Sequence, residues 1–575
     1  MDELIVEDAG QGYVEMLNRL GVDYVLSSPG SEFIPLWEHL ARYNSEGKKP
    51  FYLNIRHEGT ALSMAKGYYM ATGKAQVLMT HVLAGLLHGA MELRAAYVDQ
   101  IPLMLLVGQN RTHDNEVYGG TPGPHYLSFT EPGGQGNLVK PYIKWVDSPE
   151  TNANILGVIQ RAYRIANSGV KGPVLLALSR ELIFEKTKNM LLPELLHDEG
   201  TVTADPHTLN KLKDLLVSAD NPIIYTRYLG RNPASVYEVV KLANFLKIPV
   251  FETSGYMNFP TNNPFYMGSS IQPYMKDTDL LLVIDSSSWP PWYPPNSIRR
   301  KTLAKIVFID PDPTQNKYPV YGYPSDLSIT GDSYTILSQL NQLIQNKKLN
   351  VEVIQSRKER WETEHKKIEE EKLQRALSVK DEFPIDPIWL CYCINEAIDK
   401  DMAIIEETIT HGGIIQRYVE SNRVEPGMWY KATGPVAHTG LGQGLGIALG
   451  VKLAKRDKTV IALEGDGSFN YNPVLAAFGA AQEHNLPFIT IVFNNGCYAA
   501  MKGHQRYYPS GFSVTQNKYY GVNFGPTPDY AKLVEAYDGY SETVEDPSDV
   551  GNSLKRAINE TVGGKVTLLD VRLSR

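Results

Sequence analysis

Two short polar motifs in the last third of the chain have the residue types that hold a metal ion and a phosphate group. The first is Gly465-Asp466-Gly467-Ser468, and the second is Asn494-Asn495-Gly496. Each motif follows an apolar run with strand character, Thr459–Leu463 and Phe488–Phe493 respectively. Carboxylate and amide oxygens are the ligands that a magnesium-type ion prefers, and backbone N–H groups at the start of a helix suit a phosphate. Either motif alone would indicate an ordinary turn, so it is the pair that predicts a binding site.

The elements around these motifs predict that the two lie side by side. Apolar strands alternate with helical patterns through three blocks of the chain, which is typical of parallel sheets covered by helices on both faces. In such sheets ligands bind outside the carboxyl ends of the strands. The predicted fold class is therefore α/β, with three doubly wound parallel-sheet domains.

Composition and charge divide the chain into four segments. We predict an N-terminal domain over residues 1–190, a central α/β domain over 191–345, a charged helical linker over 346–383 and a C-terminal domain over 384–575. The linker is predicted because opposite charges recur at helical spacing, as in Glu362 and Lys366. We expect this helix to be exposed to solvent.

The first domain places two further reactive side chains at predicted strand ends. Glu58 stands between a strand over 51–55 and a helix over 61–72, and His81 follows a strand over 75–79. Histidine titrates near neutrality and suits proton transfer to and from a substrate. A strand-end glutamate is more often a helix cap and a lone histidine is more often structural, but the paired motifs of the last domain favour a catalytic interpretation of both.

Overall composition excludes several classes of protein. Of 575 residues, 56 are Lys or Arg and 64 are Asp or Glu, and the resulting net charge of −8 indicates no nucleic-acid partner. The three cysteines, Cys391, Cys393 and Cys497, are too few for a disulfide framework and lack zinc-knuckle spacing. No apolar run reaches the roughly 20 residues of a membrane span, and the first residues lack a signal-peptide pattern. We therefore expect no membrane association and a cytoplasmic protein.

The paired motifs resemble the diphosphate-anchoring motif of thiamine-diphosphate enzymes of the acetolactate synthase and benzoylformate decarboxylase type. The resemblance implies that Asp466, the Asn495 side chain and the Cys497 backbone carbonyl bind Mg²⁺ or Ca²⁺, which holds the diphosphate of thiamine diphosphate. It also implies that Glu58, ahead of Met64-Ala65-Lys66-Gly67-Tyr68, hydrogen-bonds the aminopyrimidine ring and so promotes formation of the thiazolium ylide.

The resemblance covers nearly the whole chain and implies further contacts with the cofactor. Pro29-Gly30-Ser31 resembles the first active-site turn, Glu407–Thr410 the strand-end loop at the diphosphate, and Leu441 the apolar prop that bends the cofactor. The implied cofactor-binding residues are Ser31, Glu58, Thr410, His411, Gly440, Leu441, Asp466, Gly467, Ser468, Asn495, Cys497, Tyr498 and Met501. The implied catalytic residues are Glu58, His81 and His438, with His504 as a further candidate.

The implied function is breaking or forming a carbon–carbon bond next to a carbonyl, with a 2-oxo acid as substrate. An acetolactate synthase-like carboligase or decarboxylase, a benzoylformate decarboxylase-like enzyme and a 2-hydroxyacyl lyase all stay open. A flavin or nicotinamide oxidoreductase is disfavoured, because the glycines from 440 to 446 lack Gly-x-Gly-x-x-Gly spacing. The central domain also lacks a glycine-rich turn, so we expect no FAD. An intact Glu58 beside intact metal motifs argues against a catalytically silent scaffold.

The central domain departs from the acetolactate synthases in one further segment. Ser286–Pro290 stands where those enzymes carry an arginine-bearing segment for the acceptor, and arginine is the natural clamp for a second oxo acid. The aromatic and proline-rich loop over 289–295 is either a ligand wall or an inter-domain loop. The family's active site lies between subunits, so the resemblance implies a homodimer or homotetramer.

Overall fold

The computed structural model describes residues 2–28, 30–110, 133–195, 200–253, 255–286, 304–315, 324–433, 440–503, 507–526 and 528–574. Within these ranges the chain forms three parallel sheets flanked by helices, which confirms the predicted α/β class. His438, His504 and the loop over 289–295 lie outside the described residues. In the part of the chain that the structure describes, no helix has the length and hydropathy needed to cross a membrane.

The first sheet has six parallel strands. In spatial order they are Phe51–Asn54, Tyr24–Ser27, Val77–Thr80, Met104–Gln109, Val174–Ser179 and Trp145–Asp147. A two-stranded antiparallel ribbon pairs Asp2–Ile5 with Asn189–Leu192. The helices of this region are Ala9–Arg19, Ile34–Ser45, Glu58–Thr72, Val82–His88, Ala90–Val98, Gly134–Val139, Ile155–Asn167 and Arg180–Phe184.

The central sheet has five parallel strands. In spatial order they are Val250–Glu252, Pro222–Thr226, Leu280–Ile284, Lys305–Asp310 and Leu327–Thr330. The helices that pack on it include Pro206–Ser218, Pro233–Leu246 and Ser333–Gln345. The long helix Val351–Ser378 then leads to the third sheet.

The third sheet again has six parallel strands. In spatial order they are Trp429–Lys431, Met402–Glu407, Thr459–Gly465, Ile489–Asn494, Thr567–Arg572 and Tyr540–Val544. The helices around it are Pro387–Ala397, Gly412–Tyr418, Gly444–Ala454, Asp466–Tyr471, Val474–Glu483, Phe512–Thr515, Ala531–Glu535 and Val550–Val562. In each six-stranded sheet the spatial order is second, first, third, fourth, sixth, fifth along the chain, so the first and third sheets have the same topology.

Both faces of the first sheet are buried, and one face shares its core with the third sheet. Leu78 and Leu105 belong to the large cluster that continues into the third sheet, whereas their neighbours Val77 and Met104 belong to a separate cluster on the opposite face. Because successive strand residues point to opposite faces, near-continuous apolar strands are what a sheet covered on both sides requires.

Two helices join the first and third sheets through an unusually close contact, Glu58–Thr72 and Gly444–Ala454. A Cβ atom built on Gly450 would lie 2.0 Å from the carbonyl oxygen of Met64, and one on Gly67 would lie 2.3 Å from that of Ile447. Only glycine permits this approach of two backbones. The contact keeps the start of each helix, where candidate site residues lie, in a constant position relative to the other.

A buried lysine adds a polar tie between the same two helices. Lys66 Nζ lies 2.6 Å from Asp99 Oδ2, 3.1 Å from the carbonyl oxygen of Ala432 and 3.1 Å from Gln443 Oε1. The lysine is almost fully buried (1% exposed), and such a charge is stable only when it is paired and hydrogen-bonded. The tie therefore helps to hold the residues that precede Gly444–Ala454 against the first domain.

Gly450→Ala is expected to lower the free energy of unfolding by about 1–3 kcal/mol or more, because the new methyl group meets backbone atoms that cannot move aside cheaply. Gly551→Ala, in the helix Val550–Val562, is the matched control, since a Cβ there meets nothing within 4 Å. The control is expected to be neutral or to stabilise by about 0.5–1 kcal/mol. Thermal melting of both variants measures the difference, and equal melting temperatures would contradict the close contact.

The charged helix Val351–Ser378 is exposed on one side and docked on the central sheet on the other. Arg357 is buried and donates to the carbonyl oxygens of Asp220 and Leu246, each at 3.0 Å. Trp361 is buried beside it in the central core. The expectation that this helix is exposed to solvent therefore holds for one face only. The buried face was not predicted, because Arg357 lies in a run of charged residues with no apolar pattern around it.

Candidate active site

The two polar motifs of the third domain lie next to each other at the carboxyl ends of adjacent strands. Gly465 pairs with Phe493 in the parallel register, so Asp466 and the second motif leave the sheet together. The Asp466 carboxylate accepts the backbone N–H of Gly467 at 2.8 Å and that of Gly496 at 2.7 Å. A single buried carboxylate thus joins the two motifs.

The oxygen-bearing groups beside Asp466 have the chemistry of a divalent-cation site. Asn495 Oδ1 accepts the Cys497 backbone N–H at 3.0 Å, and both residues are buried. Burial raises the pKa of Asp466 to about 6, and a cation at a buried carboxylate would offset that cost. A carboxylate, an amide oxygen and a backbone carbonyl are all hard ligands suited to Mg²⁺ or Ca²⁺. The residues present therefore fit the cation that the sequence implies.

The glycine at the start of the helix Asp466–Tyr471 allows the Tyr498 ring to approach the helix backbone closely. A Cβ atom built on Gly467 would lie 2.8 Å from the ring of Tyr498. Ser468 is buried and Tyr498 is half-buried. The Gly467 N–H, which we expected to suit a phosphate, is engaged by Asp466 in this structure.

The strand-end loop after Met402–Glu407 differs in detail from the expectation. The Thr408 hydroxyl is buried and donates to Glu406, whereas Thr410 is exposed. His411 is buried against Phe493, with ring centroids 5.6 Å apart. Burial lowers the pKa of His411 to about 4, so this ring is neutral near neutrality. Thr410 is consequently the member of the loop whose hydroxyl side chain faces outward.

The glycine-rich turn before Gly444–Ala454 is held by Glu407. The turn has positive φ at Gly440 (104°) and Gly442 (93°), which glycine adopts without strain. The Glu407 carboxylate accepts the backbone N–H groups of Gly442, Gln443 and Gly444 at 2.7–3.1 Å. This carboxylate satisfies the orphan donors at the start of the helix and so sets the position of Leu441, which is half-buried in the same turn.

Glu407 forms a buried acidic pair with Glu464, its neighbour in the sheet register. Burial and the adjacent Glu407 raise the pKa of Glu464 well above its ordinary value. Asn472 Nδ2 donates to Glu407 Oε2 at 3.1 Å and lies 3.4 Å from Glu464 Oε2. Burial also raises the pKa of Glu407, but hydrogen bonds from the Gln443 and Gly444 N–H groups lower it, so Glu464 is the member of the pair that keeps its proton.

In the first domain, Glu58 lies in the first turn of the helix Glu58–Thr72. The sequence predicts that this helix begins at Ala61, but it begins three residues earlier, at Glu58. His57 caps the helix by accepting the Gly59 N–H on Nδ1 at 3.0 Å. Glu58 is buried (7% exposed), and its Oε2 lies 2.7 Å from His88 Nδ1. Glu58 is therefore a buried carboxylate that faces a histidine.

His81 is held at its strand end by a second buried carboxylate. Its Nδ1 lies 2.8 Å from Glu32 Oε2, and Glu32 Oε1 also accepts the backbone N–H of Val82 at 3.0 Å. Val82 has φ of 30°, an outlier for a β-branched residue. Because an ionised carboxylate only accepts hydrogen bonds, Glu32 sets the tautomer in which Nε2 carries the lone pair. Ser31, next to Glu32, is exposed.

The predicted site residues thus form two groups, one at each linked sheet. The first holds Ser31, Glu58 and His81, and the second holds Thr410, His411, Gly440, Leu441, Asp466, Gly467, Ser468, Asn495, Cys497, Tyr498 and Met501. Met501 is exposed (59%). His438 lies outside the described residues. Sequence reasoning missed Glu32, His88 and the capping role of Glu407, because each acts by touching a residue distant in sequence.

Comparison with known families identifies both linked regions. The model described as the N-terminal TPP binding domain of thiamine pyrophosphate enzymes matches residues 7–129. The C-terminal TPP binding domain of the same enzymes matches residues 410–571. The two matches contain both groups of candidate residues, and residues 1–6, 130–409 and 572–575 lie outside both matches.

Curated relatives match nearly the whole chain. A probable acetolactate synthase large subunit of Methanococcus aeolicus is 26% identical, covering 96% of this chain and 90% of the relative. The acetolactate synthase isozyme 3 large subunit of Escherichia coli K12 is 23% identical, covering 97% and 93%.

Solved structures share the fold over the full length. The thiamine diphosphate-dependent 4-hydroxybenzoylformate decarboxylase of Rhodococcus jostii RHA1 has a TM-score of 0.76 at 21% identity and covers 99% of each chain. Benzoylformate decarboxylase of Polynucleobacter necessarius has a TM-score of 0.76 at 20% identity, again covering 99% of each chain. At this identity the likeness establishes the three-sheet architecture alone.

Proposed function

Because this chain belongs to the thiamine pyrophosphate enzymes, whose N- and C-terminal binding domains both match it, we propose that it breaks or forms a carbon–carbon bond next to the carbonyl of a small 2-oxo acid. Thiamine diphosphate and Mg²⁺ or Ca²⁺ are the proposed cofactors. The chemistry that bound thiamine diphosphate supplies is a nucleophilic ring carbon that adds to the carbonyl and a cationic thiazolium ring that accepts the electron pair of the broken bond.

The observation that carries this proposal is the Asp466 carboxylate, which joins the two motifs at adjacent strand ends. We propose that Asp466, Asn495 and the Cys497 carbonyl hold the cation, and that the cation holds the diphosphate. Ser468 and Thr410 are proposed as hydroxyl donors near the diphosphate. Leu441 lies in the turn that Glu407 caps and is proposed to make apolar contact with the cofactor.

The first domain supplies the proposed acid–base groups. Glu58 is proposed to hydrogen-bond a ring nitrogen of the cofactor and to exchange a proton with it through its carboxylate. His81 is proposed to move a proton to and from the substrate's carbonyl oxygen through Nε2, in the tautomer that Glu32 sets. His438 remains a third proposed catalytic residue on the basis of sequence alone.

Two reactions within this class fit the site differently. The acetolactate synthase-like relatives favour joining of two oxo acids, with decarboxylation of the first. The Glu32–His81 pair favours the alternative, a benzoylformate decarboxylase-like reaction without carboligation, because a positioned histidine can protonate the product carbon or its oxygen directly. Product analysis separates the two, since only the first releases a molecule larger than the substrate.

The central sheet supports the proposal that no flavin is bound. Carboxyl groups of Glu252, Asp285 and Asp310 stand at or directly after three of its strand ends, where an α/β fold would bind a dinucleotide. Burial raises the pKa of Glu252 and of Asp310 to about 7. Acidic groups at this position do not complement a pyrophosphate. Flavin absorbance in the purified protein would contradict this part of the proposal.

We propose that the two groups of site residues meet across an interface between two copies of the chain, in a homodimer or homotetramer. Large apolar side chains beside each group support it: Leu87 is 50% exposed next to His88, and Tyr471 and Leu475 are 58% and 60% exposed after the Asp466 motif. Exposed apolar patches of this kind mark protein interfaces. A mass measurement in solution that found an active monomer would contradict it.

A reducing compartment, the cytoplasm, is the proposed location. All three cysteines lie in described parts of the chain, are buried and form no disulfide. Burial raises the pKa of Cys391 well above its ordinary value and that of Cys393 to about 12, so neither thiol is reactive.

The test of the proposed function is release of carbon dioxide from a panel of aliphatic and aromatic 2-oxo acids. Each acid is supplied with thiamine diphosphate and Mg²⁺, together, singly and with neither. Release that needs both additions supports the proposal and names the donor acid. If the cofactor binds but no acid releases carbon dioxide, the proposed substrate class changes from 2-oxo acids to 2-hydroxyacyl compounds.

Glu32→Gln is expected to lower turnover of the donor acid about 100-fold while leaving cofactor affinity unchanged, because His81 loses the carboxylate that orients it. Glu38→Gln, an exposed residue of the following helix, is the control and is expected to behave like the parent protein. Steady-state kinetics and calorimetric titration with thiamine diphosphate measure the two effects. Unchanged turnover would remove His81 from the proposed catalytic residues.

A further inference from the structure

His88 lies against Glu58 and links this buried carboxylate to the surface of the protein. Its Nδ1 is 2.7 Å from Glu58 Oε2, and its ring centroid is 3.9 Å from that of His57. The Glu58 residue is 7% exposed, whereas 57% of the His88 side chain is exposed. One side of the imidazole therefore faces the carboxylate while much of the ring is accessible.

Two glycines explain how His88 comes so close. A Cβ atom built on Gly85 would lie 3.1 Å from Glu58 Oε1, and one built on Gly89 would lie 2.4 Å from Leu62 Cδ1. The stretch over 85–98 is divided at Gly89 into the end of one helix and the start of another. His88 is the last residue of the earlier helix, and its ring lies against the start of the helix that carries Glu58.

A metal site is the first alternative for this cluster. The ligand atoms of His57, Glu58 and His88 all lie within 4.8 Å of one another. However, His57 Nδ1 already accepts the Gly59 N–H, so its proton is on Nε2 and the neutral ring has no second lone pair for a cation. Burial and the adjacent His88 lower the pKa of His57 and keep this ring neutral. The partial positive charge of the helix start also disfavours a cation, and two remaining ligands do not make a metal site.

We propose that His88 is a positioning residue for Glu58: its Nδ1–H holds the carboxylate in the orientation that proton exchange requires. The inference rests on the proposed function of Glu58. An ionised carboxylate only accepts hydrogen bonds, so Nδ1 carries the proton.

The titratable groups that face the His88 ring are few among the described residues. Glu58 and His57 face it from the start of one helix, and Glu92 interacts with it from the next. Burial raises the pKa of Glu92 to about 7, so this group carries only part of its charge near neutrality. Glu58 is thus the one carboxylate in direct hydrogen-bond contact with the ring in the described structure.

The test compares the parent protein with His88→Ala and His88→Asn. The readout is deuterium exchange at the thiazolium carbon of bound thiamine diphosphate, measured by quenched NMR without substrate, together with cofactor affinity by calorimetry. An asparagine amide places an N–H donor close to the position of Nδ1, so this variant keeps the hydrogen bond without the imidazole ring. Because the His88 side chain is mostly exposed, both variants are expected to fold, and thermal melting checks this.

We expect His88→Ala to slow exchange about 10- to 100-fold with cofactor affinity unchanged within about threefold. His88→Asn is expected to restore most of the exchange at neutral pH. A His88→Ala rate equal to the parent rate, or a His88→Asn rate as low as that of His88→Ala, would overturn the inference. Absence of cofactor-dependent exchange in the parent protein would instead refute the proposed function itself.

Discussion

Glu58→Gln is expected to bind thiamine diphosphate and Mg²⁺ normally and to lose about 10²- to 10⁴-fold in both thiazolium exchange and turnover. The amide is nearly isosteric with the carboxyl group, so the helix Glu58–Thr72 and its contact with Gly444–Ala454 are kept. It cannot exchange a proton with the ring nitrogen of the cofactor, which is the role proposed for Glu58. Quenched-NMR exchange and calorimetric titration measure the two properties separately.

The control for this variant is Glu483→Gln, which removes an exposed carboxylate that pairs with Arg56 at 3.1 Å. That pair lies on the surface and contributes about 0–1 kcal/mol to stability, so exchange and turnover are expected to be unchanged. If Glu58→Gln kept the parent exchange rate, Glu58 would be misassigned, and another carboxyl group such as Glu92 would have to replace it in the proposal.

Asp466→Asn is expected to weaken Mg²⁺-dependent binding of thiamine diphosphate by about 100-fold or more. The substitution removes the negative charge that the cation needs and also disturbs the hydrogen bonds to the N–H groups of Gly467 and Gly496. Calorimetric titration at several Mg²⁺ concentrations measures the effect. The loss should be partly recovered at high Mg²⁺, because the remaining oxygen ligands are intact.

Glu464→Gln is the matched control, since Glu464 lies two residues earlier, near the end of the strand that leads to Asp466, and is also buried. Glu464 keeps its proton in the pair with Glu407, so a neutral amide that can donate to Glu407 replaces it with little electrostatic change. Cofactor binding is therefore expected to stay within about threefold of the parent value. Equal losses in Asp466→Asn and Glu464→Gln would mean that the strand end, rather than a cation ligand, had been disturbed.

Mixing the two inactive variants tests where the active site lies. If Glu58 of one copy and Asp466 of another share a site, a mixed dimer of Glu58→Gln and Asp466→Asn has one intact site. Random pairing then restores about a quarter of the parent activity. If both residues of a site came from a single chain, no activity would return on mixing.

The third sheet and its metal motifs are the part of the molecule that local sequence predicts best. Thr459–Leu463 and Phe488–Phe493 are apolar runs that end in Gly-Asp-Gly and Asn-Asn-Gly, and the structure has strands Thr459–Gly465 and Ile489–Asn494 at these places. Strand periodicity and turn chemistry are properties of neighbouring residues, so they can be read without knowledge of the fold.

Helix boundaries were less predictable than helix existence. The helix expected from Ala61 begins at Glu58, because the His57 ring turns back to accept the Gly59 N–H. A helical pattern runs over 85–98 without interruption, but the structure divides this stretch at Gly89, which lies against Leu62. Both differences come from side-chain contacts that a periodic pattern does not contain.

The sequence by itself determined the fold class, the order of the elements and the identity of the residues with the right chemistry for a cation and a diphosphate. Tertiary structure alone decided which carboxylates are partners of which groups. Glu32 reaches His81 across 49 positions, Glu58 meets His88 across 30, and Glu407 caps a turn 35 to 37 positions later. These pairs form where separate strands and helices end at one edge of a sheet, and buried acids must find donors there because an unpaired buried charge is costly.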